Sequence, residues 1–395
     1  MKIFVLNAGS SSIKYKLFHI DQKVQILAWG AVEKIAEEES FISFNESKEK
    51  VKCATHKEGL QLIIQQLQKA GILKDFSSLN AIAHRVVHGG SLFCEPTLID
   101  ETVKKQIQQM IPLAPLHNPA NLEGITAMQY LAPNIMQIAF FDTAFHQSMP
   151  ASHFRYALPE YLYDELKIRR YGFHGISHHY LTKKSAQFLK KPLQNCNLIT
   201  LHLGNGASAT AIKNGKSIET SMGFTPLEGL VMGSRSGDLD PGILLYLFEQ
   251  YHYDGDKLDH LLNQQSGLKG LCGTNDMKEI IQKMKKGEEN AKLAFDIFCQ
   301  KVKHYIGAYI ALLGNVDAIV FSGGIGSNSP EVREAICSNM SVLGIILDSE
   351  KNQQHFTLIG DKGSVKVLKI ETDEEFEMAD QSLQIIKKHP VTRKQ

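Results

Sequence analysis

Two stretches built to one plan, one in each half of the chain, constrain the fold most. In the first, residues 3–6 (Ile-Phe-Val-Leu) form an apolar run, long enough for one buried strand and too short for a helix. It ends in Asn7-Ala8-Gly9-Ser10-Ser11-Ser12, which reads as a tight polar turn. Residues 13–20 return as a strand, with Lys14 and Lys16 alternating against Ile13, Tyr15 and Leu17. In the second, an apolar strand over 198–203 runs into Gly204-Asn205-Gly206-Ala207-Ser208, and a strand over 209–212 follows, up to the hairpin signal Asn214-Gly215. Small residues let backbone N–H groups approach an anion, hydroxyls donate hydrogen bonds and lysine adds charge, so each stretch reads as a phosphate cradle. An ordinary hairpin with a polar turn is the alternative for either one alone. A pair of them, one per half, points to duplicated halves serving one nucleotide. Gly204-x-Gly206-x-x-Ala209 also fits the dinucleotide fingerprint, but that motif must open a helix, and here a strand is expected.

At 395 residues the chain has room for two or three domains. Its formal net charge of +1 gives no reason to expect nucleic acid or an anionic membrane as partner. The six cysteines are scattered without a Cys-x-x-Cys pair, so reduced thiols in a cytoplasmic protein are expected, with neither a zinc site nor a disulfide frame. The apolar run at the N-terminus is too short for a signal peptide, and no run approaches the roughly 20 residues of a membrane span.

Strands and helices alternate along the chain, which makes the class α/β with mixed sheets. Further strands are expected over 24–32, 41–44, 81–87, 135–141, 318–321 and 365–370. Thr55 with Glu58 reads as a capping box for a helix ending near Gly71. Asp100 caps another, and Asn118-Pro119 opens a third. A long helix is expected over 288–313, ending at Gly314-Asn315. The chain changes character between Phe145 and Pro159, where a Pro- and His-containing stretch follows a buried strand. The main boundary is therefore placed there, giving an N-terminal domain over 1–147 plus 375–395 and a C-terminal domain over 148–374.

Asn7, Lys14, Arg85, Asp142, His174, Arg235 and Glu374 are polar groups at strand ends or in Gly-rich turns, where open α/β sheets place their sites. Arg85, in Ala-His-Arg-Val-Val-His-Gly-Gly, is either a guanidinium fork for a carboxylate or phosphate, or an arginine paired with a carboxylate across a domain interface. Arg235, in Met-Gly-Ser-Arg-Ser-Gly-Asp-Leu-Asp-Pro, is an anion ligand or a loop arginine held by Asp238 or Asp240. His174 suits a hydrogen bond to a phosphoryl group. Its i,i+4 spacing with His178 would also fit a metal, but no Glu or Cys completes a zinc pattern, and a backbone-satisfied core histidine is the structural alternative. Asn7 and Glu374 offer hard oxygens suited to Mg²⁺ held with waters and phosphates, with a turn residue and a helix-capping acid as alternatives. Asp142 ends a buried strand and suits a metal-water contact or a cap.

Taken together, these motifs resemble the acetate kinase family. The resemblance rests on Val-Leu-Asn-Ala-Gly-Ser-Ser-Ser-Ile-Lys, His-Arg-Val-Val-His-Gly-Gly, Phe-Phe-Asp-Thr-Ala-Phe-His, Tyr-Gly-Phe-His-Gly, His-Leu-Gly-Asn-Gly, Arg-Ser-Gly-Asp-Leu-Asp-Pro-Gly, Gly-Gly-Ile-Gly and Thr-Asp-Glu-Glu, in order along essentially the whole chain. It implies two duplicated actin-like, sugar-kinase-like (ribonuclease H-like) α/β domains flanking a nucleotide cleft, and a homodimer. It implies reversible transfer of the ATP γ-phosphate to acetate, giving acetyl phosphate and ADP.

By the same resemblance, Asn7 and Glu374 would hold Mg²⁺ (Mn²⁺ being possible), and Lys14 would sit near the phosphates. Arg85 would bind the substrate carboxylate, and Asp142, His174 and Arg235 would serve phosphoryl transfer. His202, Leu203, Gly204, Asn205 and Gly206, then Asp276, Met277 and Lys278, then Gly324, Ile325, Gly326, Ser327 and Asn328 would bind ATP or ADP. Val87, Leu116, Phe173 and Pro226 would line a small pocket for the acyl methyl.

The chain departs from the family pattern at Ile176, Ser234, Lys278 and Ser327. The last two touch the adenine region and bear on nucleotide preference. A short carboxylic acid, with a pKa of about 4–5, arrives ionised and needs no general base, so the chemistry reduces to neutralising two anions. Propionate or butyrate kinase activity is the nearest alternative, since one methylene is worth only about 1–3 kcal/mol of discrimination. A non-catalytic nucleotide-binding module is the alternative from another class.

Overall fold

The protein is described here by a computed structural model covering residues 1–21 and 23–389; the basic tail over 390–395, which ends the expected N-terminal domain, lies outside the described residues. The chain divides into two units, Met1–Ala144 with Asp373–Gln395, and Phe145–Thr372.

The first unit is built on eight strands: β1 (Lys2–Gly9), β2 (Ser12–Ile20), β3 (Val24–Glu33), β4 (Ser40–Phe44), β5 (Ser47–Val51), β6 (Ala81–Val86), β7 (Thr97–Leu98) and β8 (Met136–Phe141). Their order is β5-β4-β3-β2-β1-β6-β8-β7. β1 to β5 form an antiparallel meander, β6 and β8 run parallel to β1, and β7 closes the edge antiparallel. The first hairpin is longer than its apolar run predicts. Asn7 and Ala8 stay in the ladder, Asn7 opposite Lys14 and Ala8 opposite Ile13, so the turn shrinks to Ser10-Ser11. Backbone pairing tolerates the polar Asn7 because alternation turns it away from the buried face of Leu6. β5 carries no apolar signal. It is the charged edge Ser-Lys-Glu-Lys-Val, a composition that discourages pairing with another chain.

The helix His56–Lys69 begins as expected, with Glu58 N–H donating to Thr55 Oγ1 at 3.2 Å. With the helix Asn118–Leu131 it covers the sheet, burying Phe4, Leu6, Leu17, Leu60, Ile63 and Met128 in one core. The final helix, Glu374–Lys388, packs on β1 and β6.

The second unit contains β9 (Leu198–Leu203), β10 (Ala207–Lys213), β11 (Lys216–Thr220), β12 (Ala318–Ser322), β13 (Leu358–Gly360) and β14 (Lys366–Lys369), in the order β11-β10-β9-β12-β14-β13. β9, β10 and β11 are antiparallel, β12 and β14 run parallel to β9, and β13 is an antiparallel edge. Strand for strand, this repeats β3-β2-β1-β6-β8-β7 of the first unit, so the duplication inferred from the two hairpins extends to whole sheets. Asn214 and Gly215 have φ of 53° and 75°, the left-handed pair that a two-residue hairpin turn needs. Because β10 follows the Gly204 turn, the dinucleotide motif is ruled out. Residues 323–328, to which the sequence assigned no element, form the short helix Gly323–Asn328. The helix Glu289–Leu313 spans 25 residues, ending at Gly314 with φ of 72°. No helix among the described residues is long and apolar enough to cross a membrane.

Candidate active site

In the first unit the expected residues gather at the ends of β1, β6 and β8 and at the start of the last helix. Asp142 follows β8 and is buried. Arg85, near the end of β6, donates from Nε to Asp142 Oδ1 at 2.9 Å and from Nη2 to Asp142 Oδ2 at 2.7 Å. Its Nη1 lies 3.5 Å from Glu374 Oε2. Arg85 therefore has carboxylate partners, but both belong to its own unit and not to the other side of a domain interface, and they are themselves candidate site residues. The Glu374 carboxyl is pushed up to about 6, chiefly by burial; Arg85 opposes the shift, and the charges of Asp142, Glu375 and Asp373 add to it. Asp373 caps the last helix, accepting from Phe376 N–H at 3.0 Å, and lies 3.2 Å from Lys16 Nζ. Lys14 is exposed on the same face as its ladder partner Asn7.

Asn121, absent from the sequence reading, ties this region together. Its Nδ2 donates to Ala8 O at 2.7 Å, and its Oδ1 accepts from Val87 N–H at 3.0 Å. One buried amide thus fixes the end of β1 and the residue after β6 at once. Val87 is half-buried, whereas Leu116 is 66% exposed.

In the second unit the remaining residues collect around the Gly204–Gly206 turn. Gly204 N–H donates to Gly206 O at 3.0 Å, which makes the turn tight. A Cβ placed on Gly206 would lie 3.3 Å from both Cε1 and Nε2 of His174 and 3.9 Å from Arg235 Nη1. A Cβ on Gly204 would lie 3.8 Å from His202 Nε2 and 3.9 Å from Gly324 N. His174 occupies a left-handed conformation, φ 56° and ψ 23°, at the start of the helix Gly175–Leu189, and its ring stacks on His202 with centroids 4.3 Å apart. Left-handed backbone is uncommon for a residue with a side chain, and such outliers concentrate at functional sites.

Arg235 is half-buried, which lowers its pKa, and it donates from Nη1 to Pro226 O at 3.3 Å. Asp238, one of the two acids that could hold it as a loop arginine, instead accepts from Gly229 N–H at 2.8 Å and Tyr305 Oη–H at 2.8 Å. Among the described residues no carboxylate lies within ion-pair distance of Arg235.

The nucleotide candidates divide by exposure. His202, Gly204, Asn205 and Gly206 are accessible, as are Asp276, Lys278, Gly324 and Asn328, while Leu203, Met277, Ile325, Gly326 and Ser327 are buried. Asn205 Oδ1 accepts from Asn275 Nδ2 at 3.0 Å, which ties the turn to the Asp276 segment. Asn328 Nδ2 donates back to Gly324 O at 3.0 Å, so these two share one helical face.

Phe173 and Pro226 lie on two strips joined by Tyr171 N–H and Gly172 N–H, which donate to Gly223 O at 3.0 and 3.2 Å. Arg170 locks the strips. Its Nη1 donates to the carbonyls of Thr220, Ser221 and Met222, its Nη2 pairs with Glu228 at 2.5 Å, and its Nε lies 3.3 Å from Glu219. Tyr156 Oη–H donates to Glu228 and accepts from Phe224 N–H at 2.9 Å. Sequence reasoning passed over Arg170, although a doublet of arginines directly before Tyr-Gly-Phe-His was a visible signal.

The family model for the acetokinase family matches residues 2–380. The chain belongs to the acetokinase family. Acetate kinase from Sulfurimonas denitrificans is 54% identical over 96% of this chain and 98% of its own length, and acetate kinase from Helicobacter pylori is 48% identical over 98% and 100%. Among solved structures, Porphyromonas gingivalis acetate kinase superposes with a TM-score of 0.93 at 40% identity, covering 98% of this chain and 99% of that one. A propionate kinase from Francisella tularensis gives 0.91 at 42%, covering 96% and 98%. Acetokinase-family membership thus accounts for the two mixed α/β units and for the order of the motifs along the chain.

Proposed function

We propose that this acetokinase-family chain is an acetate kinase, transferring the γ-phosphoryl group of ATP to acetate and running the reaction in reverse. The observation that carries the reading is Arg235: a half-buried guanidinium with no carboxylate within ion-pair distance among the described residues, beside His174 and a turn of small residues. A partly desolvated charge in that state calls for an anion. Arg235, His174 and the backbone of the Gly204–Gly206 turn would take the phosphates. Arg85, held in one orientation by Asp142, would present its remaining N–H groups to the acetate carboxylate. Val87, Phe173 and Pro226, with Leu116, would bound the acyl methyl.

Acetate arrives ionised. A carboxylate oxygen forms a bond to the γ-phosphorus while the bond from that phosphorus to the β,γ-bridging oxygen breaks, and ADP leaves with the electron pair. No proton moves, so Asp142 serves as the orienter of Arg85 and not as a base. The donor set suits Mg²⁺, or Mn²⁺: Asn7 and Glu374 supply hard oxygens, and a carboxyl held near 6 by burial and its acidic neighbours gains from a nearby cation. When bound, the cation supplies neutralisation of the phosphate charge.

A homodimer completes the reading. The helix Gly242–Tyr251, Gly-Ile-Leu-Leu-Tyr-Leu-Phe-Glu-Gln-Tyr, has no buried residue, and Leu245, Tyr246 and Phe248 are each more than half exposed. An apolar helix left so bare fits a second copy of the chain. The same reading places the enzyme in the cytoplasm with its thiols reduced.

The experiment is hydroxylamine trapping of acyl phosphate with Mg-ATP and, separately, acetate, propionate and butyrate. A signal strongest with acetate is expected. Preference for propionate would move the substrate to that of the Francisella relative. No signal with any acid, despite measurable ATP binding, would overturn the kinase reading.

A further inference from the structure

Behind His174 runs a chain of three hydrogen bonds that ends inside the second sheet. His174 Nδ1 lies 2.9 Å from Ser208 Oγ, the same Oγ lies 2.7 Å from His178 Nε2, and His178 Nδ1 lies 2.7 Å from Thr200 Oγ1. Ser208, His178 and Thr200 are fully buried. Ser208 stands on β10 and Thr200 on β9, while His178 is one turn along the helix from His174.

The hydroxyl of Ser208 carries one hydrogen, so it cannot donate to both rings, and one ring must donate to it. Burial, with His146 and His202 nearby, holds His178 well below the ordinary histidine range; it is neutral and has a single N–H. Two arrangements satisfy all three contacts with a neutral His174 and also give the buried Ser208 Oγ–H an acceptor among them; with both rings donating to Oγ, that hydrogen would have none. In one, Thr200 Oγ1–H donates to His178 Nδ1, His178 Nε2–H donates to Ser208 Oγ, and Ser208 Oγ–H donates to His174 Nδ1, so the hydrogen of His174 sits on Nε2. In the other, every direction reverses and His174 Nε2 is bare. The two differ at the atom that matters, since Nε2 and Cε1 are the ring atoms facing Gly206, beside Arg235. A phosphoryl oxygen only accepts, so only the first arrangement is productive there.

We infer that Thr200, His178 and Ser208 are positioning residues that fix the tautomer of His174 and keep an N–H on Nε2 for the phosphoryl group. The inference rests on the proposed role of His174 in phosphoryl transfer. Its logic is that of any imidazole whose far nitrogen is held by a buried partner: the partner decides which nitrogen works.

The test is a long-range ¹H–¹⁵N spectrum of the full-length enzyme with ¹⁵N-labelled histidine, the His174 signals being assigned by their loss in His174→Ala. The parent should show the Nε2–H form. Ser208→Ala and Thr200→Val, the latter preserving shape but deleting a hydroxyl, should shift His174 toward Nδ1–H. Both should lower kcat by about 10–100-fold, as lost outer-shell partners do, with the KM values for ATP and acetate nearly unchanged. Thr200→Ser should restore both readouts. An Nδ1–H form in the parent, or an unchanged tautomer in both deletion variants, would overturn the inference. A shifted tautomer with unchanged turnover would support the chain's control of the ring and overturn the role of His174 instead; unchanged turnover in His174→Ala would agree.

Discussion

Arg85 grips Asp142 with two near-parallel hydrogen bonds of 2.9 and 2.7 Å, which spend the Nε–Nη2 edge of the guanidinium on a carboxylate that the chain itself supplies. The ligand is left with the Nη1 side, 3.5 Å from Glu374. Two substitutions separate charge from shape. Arg85→Lys keeps a cation beside buried Asp142 but cannot hold Asp142 and acetate together. It should melt close to the parent while losing at least about 10²-fold in kcat/KM, the scale of one lost transition-state donor. Arg85→Ala should lose activity and also cost about 3–5 kcal/mol of stability by stranding Asp142. Steady-state kinetics and thermal melts of the two variants check this, and near-parent turnover in both would refute the role.

Glu374 sets the acid limb. Its folded value of about 6 lies above the ordinary carboxyl value, so the native state binds that proton more tightly than the unfolded chain does. The resulting stabilisation is fully present below about 4.5, and it is lost as pH rises through about 6. Ligand binding runs the other way, because a cation needs the ionised form. Without Mg²⁺, Glu374 should titrate near 6, and saturating Mg²⁺ should move that titration to lower pH. Mg²⁺ affinity should accordingly fall as pH drops from 7 to 5, and Glu374→Gln should flatten the dependence. Calorimetric titration at three pH values measures it.

Gly206→Ala asks whether the turn and His174 are as close as the geometry says. The backbone there does not require glycine, but a methyl would meet the imidazole at 3.3 Å. The fold should survive while the ring is displaced by a few tenths of an ångström. Since a misplacement of 1 Å can cost about 10²-fold, kcat should fall by roughly tenfold. An unchanged kcat would place His174 away from the reacting groups.

Arg170 and Glu228 hold the strips that carry Phe173 and Pro226. Arg170→Met leaves Glu219 and Glu228 without their cation and should destabilise the enzyme by about 3–5 kcal/mol. Glu228→Gln is gentler. It keeps the shape but weakens the bonds from Arg170 and Tyr156, so the Phe224–Pro226 segment should loosen and the preference for acetate over propionate should shrink. The full methylene discrimination is worth about 1–3 kcal/mol, which bounds the effect. Relative kcat/KM for the two acids is the readout.

The bare helix Gly242–Tyr251 makes oligomeric state a prediction of its own. Sedimentation should give a dimer for the parent and a monomer for Phe248→Lys combined with Leu245→Lys. A monomeric parent would leave the exposed apolar face unexplained by self-association.

What was legible in the sequence follows from the range over which each signal acts. Thr55 capping Glu58, Asn214-Gly215 turning β10 into β11 and Asn118-Pro119 opening a helix are chemistry within four residues, and all three appear as expected. Arg85, Asp142 and Glu374 stood out as charges at element ends, but that they meet one another is a product of the parallel register of β6 and β8 and of the return of the last helix. Thr200 carried no signal, and Ser208 a misleading one: it read as part of the turn, but it lies in β10 and is buried, and a buried hydroxyl on a strand looks like any β-former until the pairing of β9 with β10 and the helix above them is known. The helix over 323–328 was hidden for the opposite reason, because its glycines advertise a loop.

The last helix has a consequence for biosynthesis. Glu374 and the helix behind it belong to the unit that begins at Met1, and Phe145–Thr372 is spelled out between the two parts. At about 5–20 residues per second, a ribosome needs on the order of ten to fifty seconds to deliver the intervening residues. Through that interval the nascent chain owns Arg85 and Asp142 but not the third member of their cluster. The cluster is therefore complete only once residue 374 has been made, and a chain truncated before it carries both Gly/Ser hairpins yet lacks the carboxylate that faces Arg85 Nη1.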